Sequence, residues 1–129
     1  MNIKDFYNDK TILLTGATGF VGKVVLEKFM RTLPNFKRIY VMLRPKKKIS
    51  IQTRLQSEIF DSEIFSTMKA KNLELFYQTI SKIVPVAGDL ILEELGMDTG
   101  IRSTLLKECD VIINCAASIN FNDPLLEAI

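Results

Sequence analysis

Histidine and tryptophan are absent from this chain, and only two of its 129 residues are cysteine. Without histidine, Ser-His-Asp and Cys-His nucleophiles are excluded within the chain, and so are histidine-ligated metal centres. Cys109 and Cys115 stand six positions apart with no second pair, so neither a zinc site nor a disulfide framework is indicated. Buried, inert thiols are the plain expectation. Long apolar runs are missing as well. No stretch approaches the roughly 18 residues that a membrane span needs, and the opening "MNIKDFYNDK" lacks the apolar centre of a signal peptide. An intracellular, soluble segment without a membrane anchor is expected. Charge of one sign is also in short supply: 17 Lys and Arg against 15 Asp and Glu leave a formal net charge of +2, too little to argue for nucleic acid. Lys46, Lys47 and Lys48 form a local basic run that reads most simply as a solvated face.

What is present fits one ordinary globular domain, with 47% hydrophobic and 25% charged residues. "TILLT" at 11–15 is a short β-favouring run ending at a glycine. From Val21 the apolar positions Val21, Val24, Val25 and Phe29 recur at helical spacing, and Pro34 closes that helix. "RIYVML" at 38–43 is a second strand, parallel to the first. Between 45 and 80, Leu55, Ile59, Phe60, Ile64, Phe65 and Met68 at mixed spacings of three and four predict two helices packed on the sheet. "KIVPVAGDL" at 82–90 reads as a third strand, and Pro85, which cannot donate to a ladder, assigns it to an edge. Asp98 is placed to cap a helix through about Lys107. "DVIINCAA" at 110–117 is a fourth strand, apolar enough to be buried on both faces, and Asp123-Pro124 begins another helix. The expected fold is an α/β doubly wound parallel sheet of Rossmann type, with strand order 3-2-1-4. Such sheets normally carry six or more strands, so residues 1–129 are expected to be the N-terminal part of the domain, truncated after the fourth strand.

"TGATGFVG" at 15–22 supplies the central chemistry. A helix N-terminus directly after a strand presents unpaired N–H groups and the positive end of its dipole, which favour a phosphate. Gly16 permits the tight turn, Gly19 lets the backbone approach a pyrophosphate, and Gly22 lets the helix pack closely on the strand. Thr15 and Thr18 can add hydroxyl donors, and Phe20 is a further cofactor-binding candidate. The spacing is Gly-x-x-Gly-x-x-Gly. It is not a Walker loop, because Lys23 after Gly22 is not followed by Ser or Thr. A bare turn also accounts for such glycines.

At the end of the second strand stands Arg44, where an NAD enzyme places an acid on the ribose hydroxyls. A planar fork there matches a ribose 2′-phosphate and points to NADP(H). Asp89 is placed to receive the adenine amino group, with Leu90 against the ring; an ordinary turn aspartate is equally compatible. Ala116 and Ala117 bring small side chains to the carboxyl edge of the sheet, where a cofactor can approach and where small residues also simply pack.

"TGATGFVGK", "LRPKK", "KIVPVAGDL" and "INCAASINFNDPLLEA" together resemble the N-terminal NADPH-binding region of fatty acyl-CoA reductases, within the extended short-chain dehydrogenase superfamily. The likeness runs over nearly the whole chain, including "DFYNDK". Asn122 departs from the acid common in the family at that position. The resemblance implies NADPH as cofactor and a long-chain acyl-CoA as substrate, reduced through an aldehyde to a primary alcohol. It also implies a Tyr-x-x-x-Lys proton donor. Four residues after Tyr7, Tyr40 and Tyr77 come Thr11, Arg44 and Ser81, so no such pair is present in these 129 residues. By the family's order it is expected beyond Ile129, and no catalytic residue is assigned here. Members are often attached to peroxisomal or endoplasmic reticulum membranes through later segments. The competing readings are a redox sensor that binds NADP(H) without chemistry, a carrier-protein thioester reductase and a sugar-nucleotide epimerase.

Overall fold

Thr11–Thr15 forms strand β1, and all five of its residues are buried. A computed structural model describes residues 2–89 and 97–115 of the chain. Strand β2 (Arg38–Leu43) pairs with β1 in parallel, Ile12 opposite Ile39 and Leu14 opposite Val41. Strand β3 (Ile83–Ala87) pairs with the far side of β2, and β4 (Val111–Asn114) with the far side of β1. The order is β3-β2-β1-β4, every pairing parallel, as the sequence predicts. Pro85 lies on β3 opposite Val41, on the strand at the sheet's edge. There its missing N–H costs no interior ladder bond.

Alternation along β1 and β2 assigns the two faces. Ile12, Leu14, Ile39, Val41 and Leu43 enter the larger core, while Leu13, Tyr40 and Met42 enter a smaller one on the opposite face with Val86 and Leu105. The larger core is covered by α2 (Phe20–Thr32) and by the segment between β2 and β3. The smaller one is covered by α6 (Thr99–Glu108), whose N-cap Asp98 accepts from the backbone N–H of Gly100 and Ile101. This capping matches the sequence reading. Tyr40 ties the layers together, accepting from Arg38 Nη1 and donating to Glu108 Oε2, each at 3.3 Å. A short helix α1 (Ile3–Tyr7), which the spacing of apolar residues does not signal, lays Tyr7 edge-on against Phe29.

Several expectations are corrected. On α2 the buried residues are Gly22, Leu26, Phe29 and Met30, whereas Val21 and Val24 face outward, so the true apolar stripe is rotated from the one the valines suggest. The 45–80 segment is more broken than two helices: α3 (Ile51–Arg54) runs into a π-helical turn (Leu55–Phe60), then a 3-10 turn (Glu63–Phe65), α4 (Ser66–Lys71) and α5 (Leu73–Ile80). The wider π turn is closed by the Asp61 N–H on the Gln56 carbonyl, and it directs the adjacent Ile59 and Phe60 both into the core. Strand β4 is not buried on both faces, since Ile112 is 67% exposed among the described residues. Cys109 and Cys115 are half-buried and not fully enclosed, though burial still raises both thiol pKa values above the ordinary range. Leu90, Ala116, Ala117, Asn122 and the helix expected from Asp123 lie outside the described residues.

The irregular segment is held by edge-to-face rings. Phe60 meets Phe65 at 5.2 Å and Phe76 at 5.8 Å between centroids, with the first two rings fully enclosed. Replacing Phe65 by Ala should cost about 3–5 kcal/mol in urea denaturation, because the cavity cannot collapse between two packed rings. Leu106→Ala, on the exposed side of α6, should stay within about 0.5 kcal/mol. Equal losses at the two positions would contradict this assignment of the core.

Candidate functional site

The carboxyl edge of the sheet gathers the residues with chemical potential, beginning at the end of β1. Gly16 has φ 77°, a left-handed conformation that a side chain disfavours, and its carbonyl accepts from the Gly19 N–H at 3.2 Å to close a tight turn. Gly19 is the N-cap of α2 and supplies no side-chain cap, and the helix has no acidic residue in its first turn. The positive end of a 13-residue helix therefore reaches the loop without a carboxylate to neutralise it.

The three glycines differ in what compels them. A Cβ on Gly22 would lie 2.1 Å from the Gly16 carbonyl oxygen and 2.7 Å from the Ala17 Cα, so packing of α2 on the turn forbids any side chain. Among the described residues, a Cβ on Gly19 would meet only the Gly16 oxygen, at an ordinary 3.5 Å. The described residues thus explain Gly16 and Gly22, and none of them crowds a side chain at the exposed Gly19. Thr15 is buried, and its hydroxyl donates to Asn114 Oδ1 at 2.6 Å across the β1–β4 register pair. That hydroxyl joins two strand ends. Thr18 is half-buried, and Phe20 is 74% exposed at the helix entrance.

At the end of β2 the Leu43 carbonyl accepts from the Gly88 N–H at 3.0 Å, so the chain leaves β2 and β3 at the same level. Arg44 and Asp89, expected at two ends of an adenosine, are in contact: Arg44 Nε lies 3.2 Å from Asp89 Oδ2. The Arg44 carbonyl in turn accepts from Nη1 of Arg54, a buried guanidinium that also donates through Nε and Nη2 to the Glu58 carboxylate. Lys46 Nζ stands 3.8 Å from the same carboxylate, so this lysine is part of a charged cluster and not solely a solvated cation. Sequence reasoning missed Arg54 and Glu58. The available clue was their i,i+4 spacing, opposite in charge, soon after the basic run.

The Arg54 guanidinium holds the Glu58 carboxyl below the ordinary carboxylate range by hydrogen bonding; burial opposes it, and the charges of Arg54, Lys46 and Lys23 assist. With its folded value depressed, Glu58 contributes stability that is present above its ordinary value of 4.5 and lost as pH falls through the lowered one. Among the described residues no group of acidic, cysteine or histidine side chains is arranged to hold a metal, and no helix is long and apolar enough to cross a membrane.

The family model described as Male sterility protein matches residues 14–129. The chain belongs to that family. Within it, the chain is 38% identical over 121 residues to "Fatty acyl-CoA reductase 8" of Arabidopsis thaliana, covering 92% of this chain and 24% of that protein. It is 38% identical over 122 residues to the "Alcohol-forming fatty acyl-CoA reductase" of Simmondsia chinensis, covering 93% and 25%. The chain therefore spans about a quarter of the length of these curated relatives. Among solved structures, it resembles the terminal R domain from the myxalamid PKS-NRPS biosynthetic pathway, with TM-score 0.66, 32% identity, and coverage of 94% of this chain and 28% of that one. The reductase (R) domain of a non-ribosomal peptide synthetase from Mycobacterium tuberculosis gives TM-score 0.67 and 30% identity, covering 88% and 26%. The resemblance drawn from the motifs is borne out, and the Rossmann-type fold and the place of the chain among nicotinamide-dependent oxidoreductase relatives rest on these matches.

Gly22→Ala should lower the melting temperature sharply or prevent folding, since the obstruction is backbone on backbone. Gly19→Ala should leave the melt nearly unchanged. Circular dichroism melts of the two variants check this, and a Gly22→Ala chain as stable as the parent would contradict the close packing of α2. In a second measurement, the stability advantage of the parent over Glu58→Gln should shrink as pH is lowered from 7 to 3. An advantage independent of pH would show that the Arg54–Glu58 pair does not persist in solution.

Proposed function

We propose that residues 1–129 are the N-terminal, cofactor-binding part of an NADPH-dependent reductase of long-chain fatty acyl-CoA. The observation that carries the cofactor reading is the α2 N-terminus, uncapped by any side chain, free of acid in its first turn and fronted by a glycine at which no described residue crowds a Cβ. Gly16, Gly19 and the first N–H groups of α2 would hold a pyrophosphate, with Thr18 and Phe20 beside it and Gly22 keeping the helix close. Thr15 would shape the floor through Asn114. Arg44 would meet the ribose phosphate, and Asp89 lies beside it. Leu90, Ala116 and Ala117 remain candidates for the adenine and nicotinamide ends. Bound there, the reduced nicotinamide would supply the electrons that take a thioester to an aldehyde and then to a primary alcohol. The likeness to fatty acyl-CoA reductases supports acyl-CoA as the substrate class. The likeness to R domains of peptide synthetases favours a second reading, in which the thioester is presented on a carrier protein.

Titration calorimetry with both cofactors tests the choice of NADPH. Arg44→Ala should weaken NADPH by roughly ten- to a hundredfold, the worth of a charge-assisted bond to phosphate, and leave NADH nearly unchanged. Equal effects on the two would make Arg44 a surface cation. In a separate assay of NADPH oxidation with palmitoyl-CoA, the 129-residue chain should show no turnover, because it contains no Tyr-x-x-x-Lys pair. Turnover above background would overturn the division of labour between this part and the rest of the enzyme.

A further inference from the structure

Arg44 is held at both ends. Its carbonyl is gripped by Nη1 of the buried Arg54, and Arg54 is itself fixed by Glu58 within the π-helical turn. Its side chain, 68% exposed, forms an ion pair with Asp89, whose Oδ2 lies 3.2 Å from Nε and whose own side chain is only 15% exposed. As a stabilising ion pair this contact contributes little, since solvent screens the exposed partner and an arginine must surrender rotamers to make it. Its consequence is directional. A guanidinium is a rigid plane with one N–H on Nε and two on each terminal nitrogen. With the Asp89 carboxylate nearest to Nε, the ion pair draws that edge of the plane toward β3, while the terminal nitrogens have no hydrogen-bond partner among the described residues. Those nitrogens are the ones that form two parallel bonds to a phosphate.

Strand pairing makes the hold possible. Leu43 and Ala87 are register partners, and the Gly88 N–H donates to the Leu43 carbonyl, so Arg44 and Asp89 emerge from neighbouring strands at one height. Building on the dinucleotide reading above, we propose that Asp89 is a positioning residue for cofactor choice: it aims the terminal nitrogens of Arg44 at a phosphate monoester on the adenosine ribose. This role differs from an aspartate that receives the adenine amino group. An adenine contact would serve phosphorylated and unphosphorylated dinucleotides alike, whereas a grip on Arg44 serves only the ligand that Arg44 reads. The carboxylate adds no attraction of its own for a phosphate. Its contribution is to keep the guanidinium from losing conformational freedom at the moment of binding, the general advantage of a preorganised site.

The test is a double-mutant cycle on the chain, with NADPH and NADH titrated separately into the parent, Asp89→Asn, Arg44→Ala and the double variant. Asp89→Asn should weaken NADPH by about tenfold and NADH by less than about twofold, and should have no further effect once Arg44 is alanine. Asp89→Glu should recover part of the preference, because a carboxylate is restored within reach of Nε. Thermal melts of every variant separate a folding defect from lost recognition, and the NADPH-to-NADH ratio is a readout that a merely structural role does not move. Equal weakening of both cofactors, tighter NADPH binding by Asp89→Asn, or additive effects of the two substitutions would each overturn the proposal. If the parent binds neither cofactor, the dinucleotide reading falls and this proposal with it. If the parent prefers NADPH and Asp89→Asn keeps the full preference, only the role of Asp89 is overturned.

Discussion

The contact between Gly22 and the backbone of the Gly16–Ala17 turn governs the architecture of this chain. Helix α2 sits so low over the end of β1 that no Cβ fits between them. That closeness lets Leu26, Phe29 and Met30 reach the sheet, and it brings the positive end of the helix to the carboxyl edge. Core and site therefore depend on the same few atoms. A helix raised by one methyl group would loosen the packing above β1 and withdraw the N–H groups from any anion at the loop.

The second fixed point is the insertion between β2 and β3. Its interlocked phenylalanines join the larger core against the sheet, and on that base the π-helical turn carries Glu58 to the buried Arg54. A buried guanidinium is costly unless paired and fully bonded. Here the carboxylate of Glu58 and the carbonyl of Arg44 both accept from it. The cost is offset by fixing the first residue beyond β2, so the irregular segment works as a foundation for the site edge as well as cover for the sheet.

The Male sterility protein family model spans residues 14–129, and the R domains share the fold closely enough for most of the chain to superpose. The relatives extend about four times further than the chain described. In this chain the described part of that fold includes the carboxyl edge built by β1, β2 and β3.

Much was determined by the sequence alone. Strand positions, their parallel order, the edge placement of Pro85, the capping by Asp98 and the turn at Gly16 all follow from local propensity, periodicity and backbone restriction, which act over a few residues. The motifs also carried the family. What only tertiary structure decided depends on partners distant in the chain. Val21 and Val24 have helical spacing yet lie outward, because Gly22 must face the turn and thereby sets the rotation of α2. Ile112 is apolar in an apolar strand and still exposed among the described residues, since burial depends on what lies over a face and not on the residue itself. The clasp of Arg44 between Arg54 and Asp89 joins residues 10 positions apart through one contact and 45 apart through the other. No local pattern encodes that meeting: it exists because β2 and β3 pair in register and because Arg54, paired with Glu58 of the π turn, bonds the Arg44 carbonyl just beyond β2.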